Sequence, residues 1–147
     1  MEEKEDRNDI DYVYVSELRV GSHIVYNDRP CKITSMTKTK TGKHGAAKAI
    51  MNARDIFNDN KYVFSFSTAD KVAVPIVTKK TYSLVGLNDG YFSLLGEDGL
   101  LDNSMKCLDD NELCQQIKVN YENSKNVDVN VTCALGESQI SSFVVTE

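Results

Sequence analysis

Histidine occurs twice in the 147 residues, proline twice and tryptophan not at all, and the four cysteines never form a Cys-x-x-Cys pair. Cys31, Cys107, Cys114 and Cys133 are too widely spaced, with only His23 and His44 to help them, for a zinc finger or ribbon. They read as reduced, structural thiols. No stretch approaches the roughly 18 apolar residues of a membrane-spanning helix. The opening Met-Glu-Glu-Lys-Glu-Asp has no apolar core of the kind a secretory leader carries. No membrane partner and a cytoplasmic address are therefore expected. Internal repeats and low-complexity tracts are also lacking.

The chain does have an uneven distribution of charge. The net charge of -5 hides three regions: residues 1–11 hold six acids and two bases, residues 12–78 ten bases and five acids, and residues 79–147 five bases and eleven acids. A basic region can hold phosphate within an acidic protein, because salt screens charges beyond about 8 Å. Between Arg29 and Arg54 there is no acid.

Residues 1–11 are expected to be a disordered acidic tail. Short strands are then expected at His23–Tyr26, Cys31–Thr37, Ala47–Ala53, Lys61–Ser67 and Val72–Val77, with a helical turn at Ser16–Arg19. Asn27-Asp28-Arg29-Pro30 and Asn58-Asp59-Asn60 supply the reversals. Five short strands without a long helix imply a small bent antiparallel barrel over residues 12–78.

Pro75 followed by Thr78-Lys79-Lys80 marks a junction, with a second domain over residues 79–147. There Tyr82–Leu87 and Tyr91–Leu95 flank Asn88-Asp89-Gly90, a strong hairpin signal, and Gly96–Gly99 reads as the next turn. Leu113, Ile117 and Tyr121 predict one helix capped by Asp109 or Asp110. Val127, Val129 and Val131 alternate with polar residues as a strand, and Ile140–Val145 is expected to be the last one. Strands around a single helix imply a five-stranded barrel of the OB type. The fold class is thus all-β dominated, with two small barrels.

Residues 38–48 hold the densest cluster of bases, with Lys43 between Gly42 and Gly45. The glycines permit a sharp reversal that would present Lys43 at a loop tip. A P-loop needs glycine five positions before Gly42 and Ser or Thr after the lysine, but Thr37 and His44 stand there. No carboxylate or hydroxyl is placed to make His44 a catalytic base. Asp109-Asp110 reads as a helix start rather than a metal or glycosidase pair. Asn130-Val131-Thr132, a formal glycosylation acceptor, lies within a strand-like run and reads as coincidence. Arg29, Lys32, Lys38, Lys40, Lys43 and Lys48 together suggest a basic surface for an RNA backbone. With no aromatic residue in the loop, base stacking is not expected there.

The segment Lys40-Thr41-Gly42-Lys43-His44-Gly45-Ala46-Ala47-Lys48 resembles the signature of the eukaryotic translation initiation factor 5A family, relatives of bacterial elongation factor P. Gly21, Arg29–Ile33, Asp55-Ile56-Phe57, Val74-Pro75 and Gly90–Leu95 extend the likeness over nearly the whole chain from residue 12. The resemblance implies an amino-terminal SH3-like barrel and a carboxy-terminal OB fold, and a translation factor rather than an enzyme. It also implies that Lys43 is the modified residue. Deoxyhypusine synthase, using its own NAD, would place a spermidine-derived aminobutyl group on Lys43, and deoxyhypusine hydroxylase would complete hypusine. No cofactor is expected on the chain itself. The implied partners are the large ribosomal subunit near its exit site and peptidyl-tRNA, with assistance to proline runs and to termination. Both a monomer and a homodimer are compatible with the sequence. Ala46 departs from the common signature, which has histidine there, and residues 138–147 resemble the family poorly. The alternative reading is a generic RNA-binding module of the same two-barrel shape with an unmodified lysine.

Overall fold

The computed structural model describes residues 9–40 and 47–146. The chain divides into two compact units, residues 1–76 and 77–147.

In the first unit, β1 (Ile10–Tyr14) leads through a short 3-10 turn (Val15–Glu17) to β2 (His23–Tyr26), β3 (Arg29–Thr39), β4 (Lys48–Asp55), β5 (Lys61–Ser67) and β6 (Lys71–Pro75). β2-β3-β4-β5 form one antiparallel sheet and β1-β6 a two-stranded one. A shared core joins the two sheets: Val15 and Val72 pack with Ile24, Ile33, Met51 and Phe64. Alternation along β4 is complete, with Ala49, Met51, Ala53 and Asp55 buried and Lys48, Ile50, Asn52 and Arg54 exposed, as expected for a strand with one wet face. Tyr26 stacks on Phe64 with ring centroids 4.2 Å apart.

Several details differ from the sequence expectation. The helical turn is Val15–Glu17 rather than Ser16–Arg19. Arg29 and Pro30, read as part of a reversal, open β3, which runs on to Thr39 rather than Thr37, and β4 is Lys48–Asp55 rather than Ala47–Ala53. Cross-strand pairing continues past the local turn and alternation signals. Ile10 and Asp11, expected in the tail, pair with Pro75 and Val74 in β1; the acids at 9 and 11 mask an edge strand whose backbone still finds a partner. The last expected strand of this unit ends at Pro75 rather than Val77, because the β1 ladder closes on Pro75.

The second unit contains β7 (Thr78–Asn88), β8 (Tyr91–Leu95), β9 (Leu101–Lys106), α1 (Glu112–Glu122), β10 (Asn126–Ala134) and β11 (Glu137–Thr146). The sheet order is β11-β10-β7-β8-β9. Thr78, Lys79 and Lys80, read as a junction, begin β7 and pair with β10. β9 was not anticipated, because Asp102, Asn103 and Ser104 have low strand propensity; pairing with β8 overrides it. Ile117 and Cys114 of α1 pack with Phe92, Leu94, Val127 and Val129. The helix cap is Asn111, not Asp109 or Asp110: its Oδ1 accepts from the Cys114 amide at 3.0 Å, which fixes the first turn at Glu112.

The expected hairpin is present, with Asn88 opposite Tyr91 and Asp89-Gly90 as a two-residue turn at φ 53° and 81°. A similar turn, Leu135-Gly136 at φ 51° and 77°, joins β10 to β11. Leucine is strained in this left-handed conformation. Leu135→Asn should therefore raise the stability of the second unit by about 1 kcal/mol, read as a later urea midpoint; an earlier midpoint would mean that leucine packing outweighs the strain.

Candidate nucleic-acid interface

β3 and β4 are consecutive antiparallel strands whose last pair is Thr39 opposite Lys48, so residues 40–47 connect them. Thr41, Gly42, Lys43, His44, Gly45 and Ala46 lie outside the described residues. The flanks of the connection are tied to the barrel. Ala47 O accepts from the Thr68 amide at 2.8 Å, Ser16 N donates to Thr68 O at 3.2 Å, and Lys38 Nζ reaches Ser16 O at 3.5 Å. Lys38, Lys40 and Lys48 are exposed at this end. Lys48 lies on the outer face of the sheet, whereas Lys38, opposite buried Ala49, occupies an inward register position at the sheet's end.

The other two basic residues singled out from the sequence lie at the far end of β3. Arg29 is an anchor: its Nε bonds Asp55 Oδ2 at 2.5 Å and its Nη2 bonds Oδ1 at 3.2 Å. Asp55 is only 1% exposed, and its Oδ1 also accepts from the amides of Phe57 at 2.8 Å and Asn58 at 3.1 Å. Burial alone would raise the Asp55 pKa, but the Arg29 bond and charge and the two amides outweigh it and lower the pKa below the usual carboxylate range. Arg29 thus spends its guanidinium holding the turn after β4. Lys32, by contrast, is exposed opposite Arg54. Sequence reading missed Arg54 and Lys61 as companions of Lys32; the signal was the parity of the alternating runs, once the register is known.

Cys31 sits beside this anchor, fully buried, and its pKa is pushed up to about 11 by burial and then by the Asp55 charge. Such a thiol is inert. All four cysteines are free, and Cys133 is the one not fully buried. In the native protein iodoacetamide at pH 8 should label Cys133 first and Cys31 only on unfolding, as mapped by peptide mass. Early labelling of Cys31 would contradict the packing.

Among the described residues no group of three His, Cys, Asp or Glu side chains is placed to hold a metal, and no helix is long and apolar enough to cross a membrane. In Asn130-Val131-Thr132, Asn130 is engaged across the sheet, accepting from Thr81 at 2.7 Å and donating to Ser142 at 2.8 Å.

Residues 12–70 match the family described as "Translation initiation factor 5A-like, N-terminal", and residues 76–143 match "Eukaryotic elongation factor 5A hypusine, DNA-binding OB fold". The chain belongs to the eukaryotic translation initiation factor 5A family. Eukaryotic translation initiation factor 5A-2 of Schizosaccharomyces pombe is 39% identical over 122 residues, covering 83% of this chain and 72% of that protein. Its Caenorhabditis elegans namesake is 39% identical over 132 residues, covering 89% and 82%. The solved structure of a translation initiation factor eif-5a family protein from Naegleria fowleri superposes with a TM-score of 0.85 at 32% identity, covering 92% of this chain and 99% of that one. The all-β, two-domain architecture with a carboxy-terminal OB fold is that of the 5A family.

Proposed function

We propose that this 5A-family translation factor works on the ribosome through a hypusine built on Lys43. The observation that carries the reading is the Lys40–Lys48 sequence, with Lys43 between two glycines, set between the anchored ends of β3 and β4 in the family-matched amino-terminal domain. Deoxyhypusine synthase attaches the aminobutyl group, drawing on spermidine and its own NAD, and deoxyhypusine hydroxylase adds the hydroxyl. The lysine amine must be deprotonated to react.

Four carbons and a terminal amine lengthen the side chain by roughly 6 Å. The lengthened tip gains a second cationic donor and a hydroxyl, so it can reach several RNA oxygens inside a cleft that a plain lysine cannot enter. Placed beside the acceptor end of peptidyl-tRNA from near the exit site of the large subunit, it holds that substrate in a productive geometry. The gain is positioning and electrostatics applied to the ribosome's own reaction, so the chain is a factor and not an enzyme. Slow peptide bonds such as proline runs benefit most, and termination follows the same logic. Lys38, Lys40 and Lys48 add phosphate contacts around the base of the segment.

The test is a reconstituted translation system making a proline-run peptide. Modified protein should accelerate synthesis and unmodified protein should not. Equal acceleration by both would leave the generic RNA-binding module as the better account.

A further inference from the structure

The outer face of β2–β5 carries four bases, Lys32, Lys48, Arg54 and Lys61, and no acid among its outward register positions. Lys32 is directly opposite Arg54, and Arg54 directly opposite Lys61, so three cations form one row across three adjacent strands. His23 stands opposite Lys32 and extends the row to β2. Lys48, by contrast, marks the other end of β4.

Like charges set directly opposite one another destabilise a sheet. Arg54 has an acid nearby, Asp59 at 3.3 Å, and both side chains are exposed, so the compensation is slight. Neither Lys32 nor Lys61 has an acid within ion-pair distance among the described residues. The row spans two strand spacings, about 10 Å, close to the Debye length, so its fields add. A β-bulge at Ile33–Ser35 sets the face: with the extra residue, Lys32 and Thr37, five apart, both point outward. Between the row and Lys48 the face carries exposed Ser35, Asn52 and Ser65, with Asn52 Nδ2 donating to Ser35 Oγ at 2.6 Å, beside the exposed apolar Ile50 and Val63; the hydroxyl and amide groups can bond sugar or phosphate oxygens.

We propose that this face is a second RNA-binding site, with Lys32, Arg54 and Lys61 holding a phosphodiester backbone at the end of β3 and β4 opposite the Lys43 segment. The proposal rests on the translation-factor reading only for the identity of the polymer. The row favours a polyanion with charge at short regular intervals, and RNA supplies it; the flanking hydroxyl and amide groups match its sugar and phosphate oxygens.

The experiment titrates the full-length, unmodified protein against a fluorescein-labelled oligouridylate of about 12 nucleotides and against an RNA duplex, by anisotropy over a range of salt. Removing three contacts with Lys32→Gln, Arg54→Gln and Lys61→Gln should lower the slope of log affinity against log salt by about 2 and weaken binding about a hundredfold at 0.1 M salt. The same variant should melt no earlier than the parent, since like-charge repulsion is relieved; the charge-keeping Lys32→Arg, Lys61→Arg pair should bind as the parent does. Unchanged slope and affinity, no RNA binding by the parent, or equal binding of polyglutamate through the same residues would each overturn the proposal. If the triple variant unfolds, the single Lys61→Gln decides, with a slope loss of about 0.7 expected and no change overturning. Lys43 is bare throughout, so failure here leaves the hypusine reading standing, and failure of the hypusine reading leaves this result intact.

Discussion

Lys43→Arg should give a protein that folds and binds RNA almost as the parent does but fails to support synthesis through proline runs. Arginine keeps the positive charge, so the long-range field of the basic region is unchanged. What it loses is chemistry: a guanidinium, charged at every working pH, offers no free amine to accept an aminobutyl group. The substitution lies on the connection between β3 and β4, and the core packed beneath those strands is built from Ile33, Ala49, Met51 and Phe64, so stability should change by less than about 0.5 kcal/mol. On the proposed reading, loss of the modification removes interactions made only with correctly placed peptidyl-tRNA. The loss should therefore appear as a slower peptide-bond step at saturating factor, with ribosome affinity reduced far less. Translation through a proline run at the parental rate by Lys43→Arg would separate activity from modification.

Asp55→Ala should be the most destabilising single change in the amino-terminal unit, costing about 3–5 kcal/mol. The carboxylate is buried and satisfies Arg29 and the amides of Phe57 and Asn58. Its removal leaves a partly buried guanidinium and two amides without their acceptor, a cost that the pair's modest net worth does not reveal. A change of this size would move the urea midpoint of the first unit and leave that of the second unit in place, because the two have separate cores. The pH dependence has a fixed sign. The folded pKa of Asp55 lies below its unfolded value, so the parent gains stability fully above the unfolded carboxylate range, near pH 4, and loses it as pH falls through the lower folded value. Asp55→Ala should flatten that acid limb. A parent-like midpoint with the acid limb unchanged would show that the anchor is dispensable.

What the sequence made legible follows from how local each signal is. β5 could be placed at Lys61–Ser67 because Tyr62, Phe64 and Phe66 recur at every second position along it, and the β7–β8 hairpin because Asp89-Gly90 meets the positive-φ demand of its turn. β1 and β9 were hidden by acids and asparagine: β1 owes its strand form to β6, about sixty residues along the chain, and β9 to pairing with the preceding strand β8, which overrides the low propensity of Asp102 and Asn103. The candidate site divides the same way. Lys40–Lys48 is a contiguous motif and can be read from the sequence outright. Which bases share a face is set by register and by the bulge at Ile33–Ser35, and no local pattern announces either. Arg29 was therefore grouped with the surface bases although it holds Asp55, 26 residues away, while Arg54 and Lys61 were left out of a row they share with Lys32.

The central claim is that Lys43 is lengthened after synthesis and acts through that extension. Mass spectrometry of the Lys43 peptide from protein purified from its own cells tests it most directly. The account predicts a hydroxylated aminobutyl adduct on Lys43 in nearly every molecule. A bare lysine in cells with active deoxyhypusine synthase would contradict it.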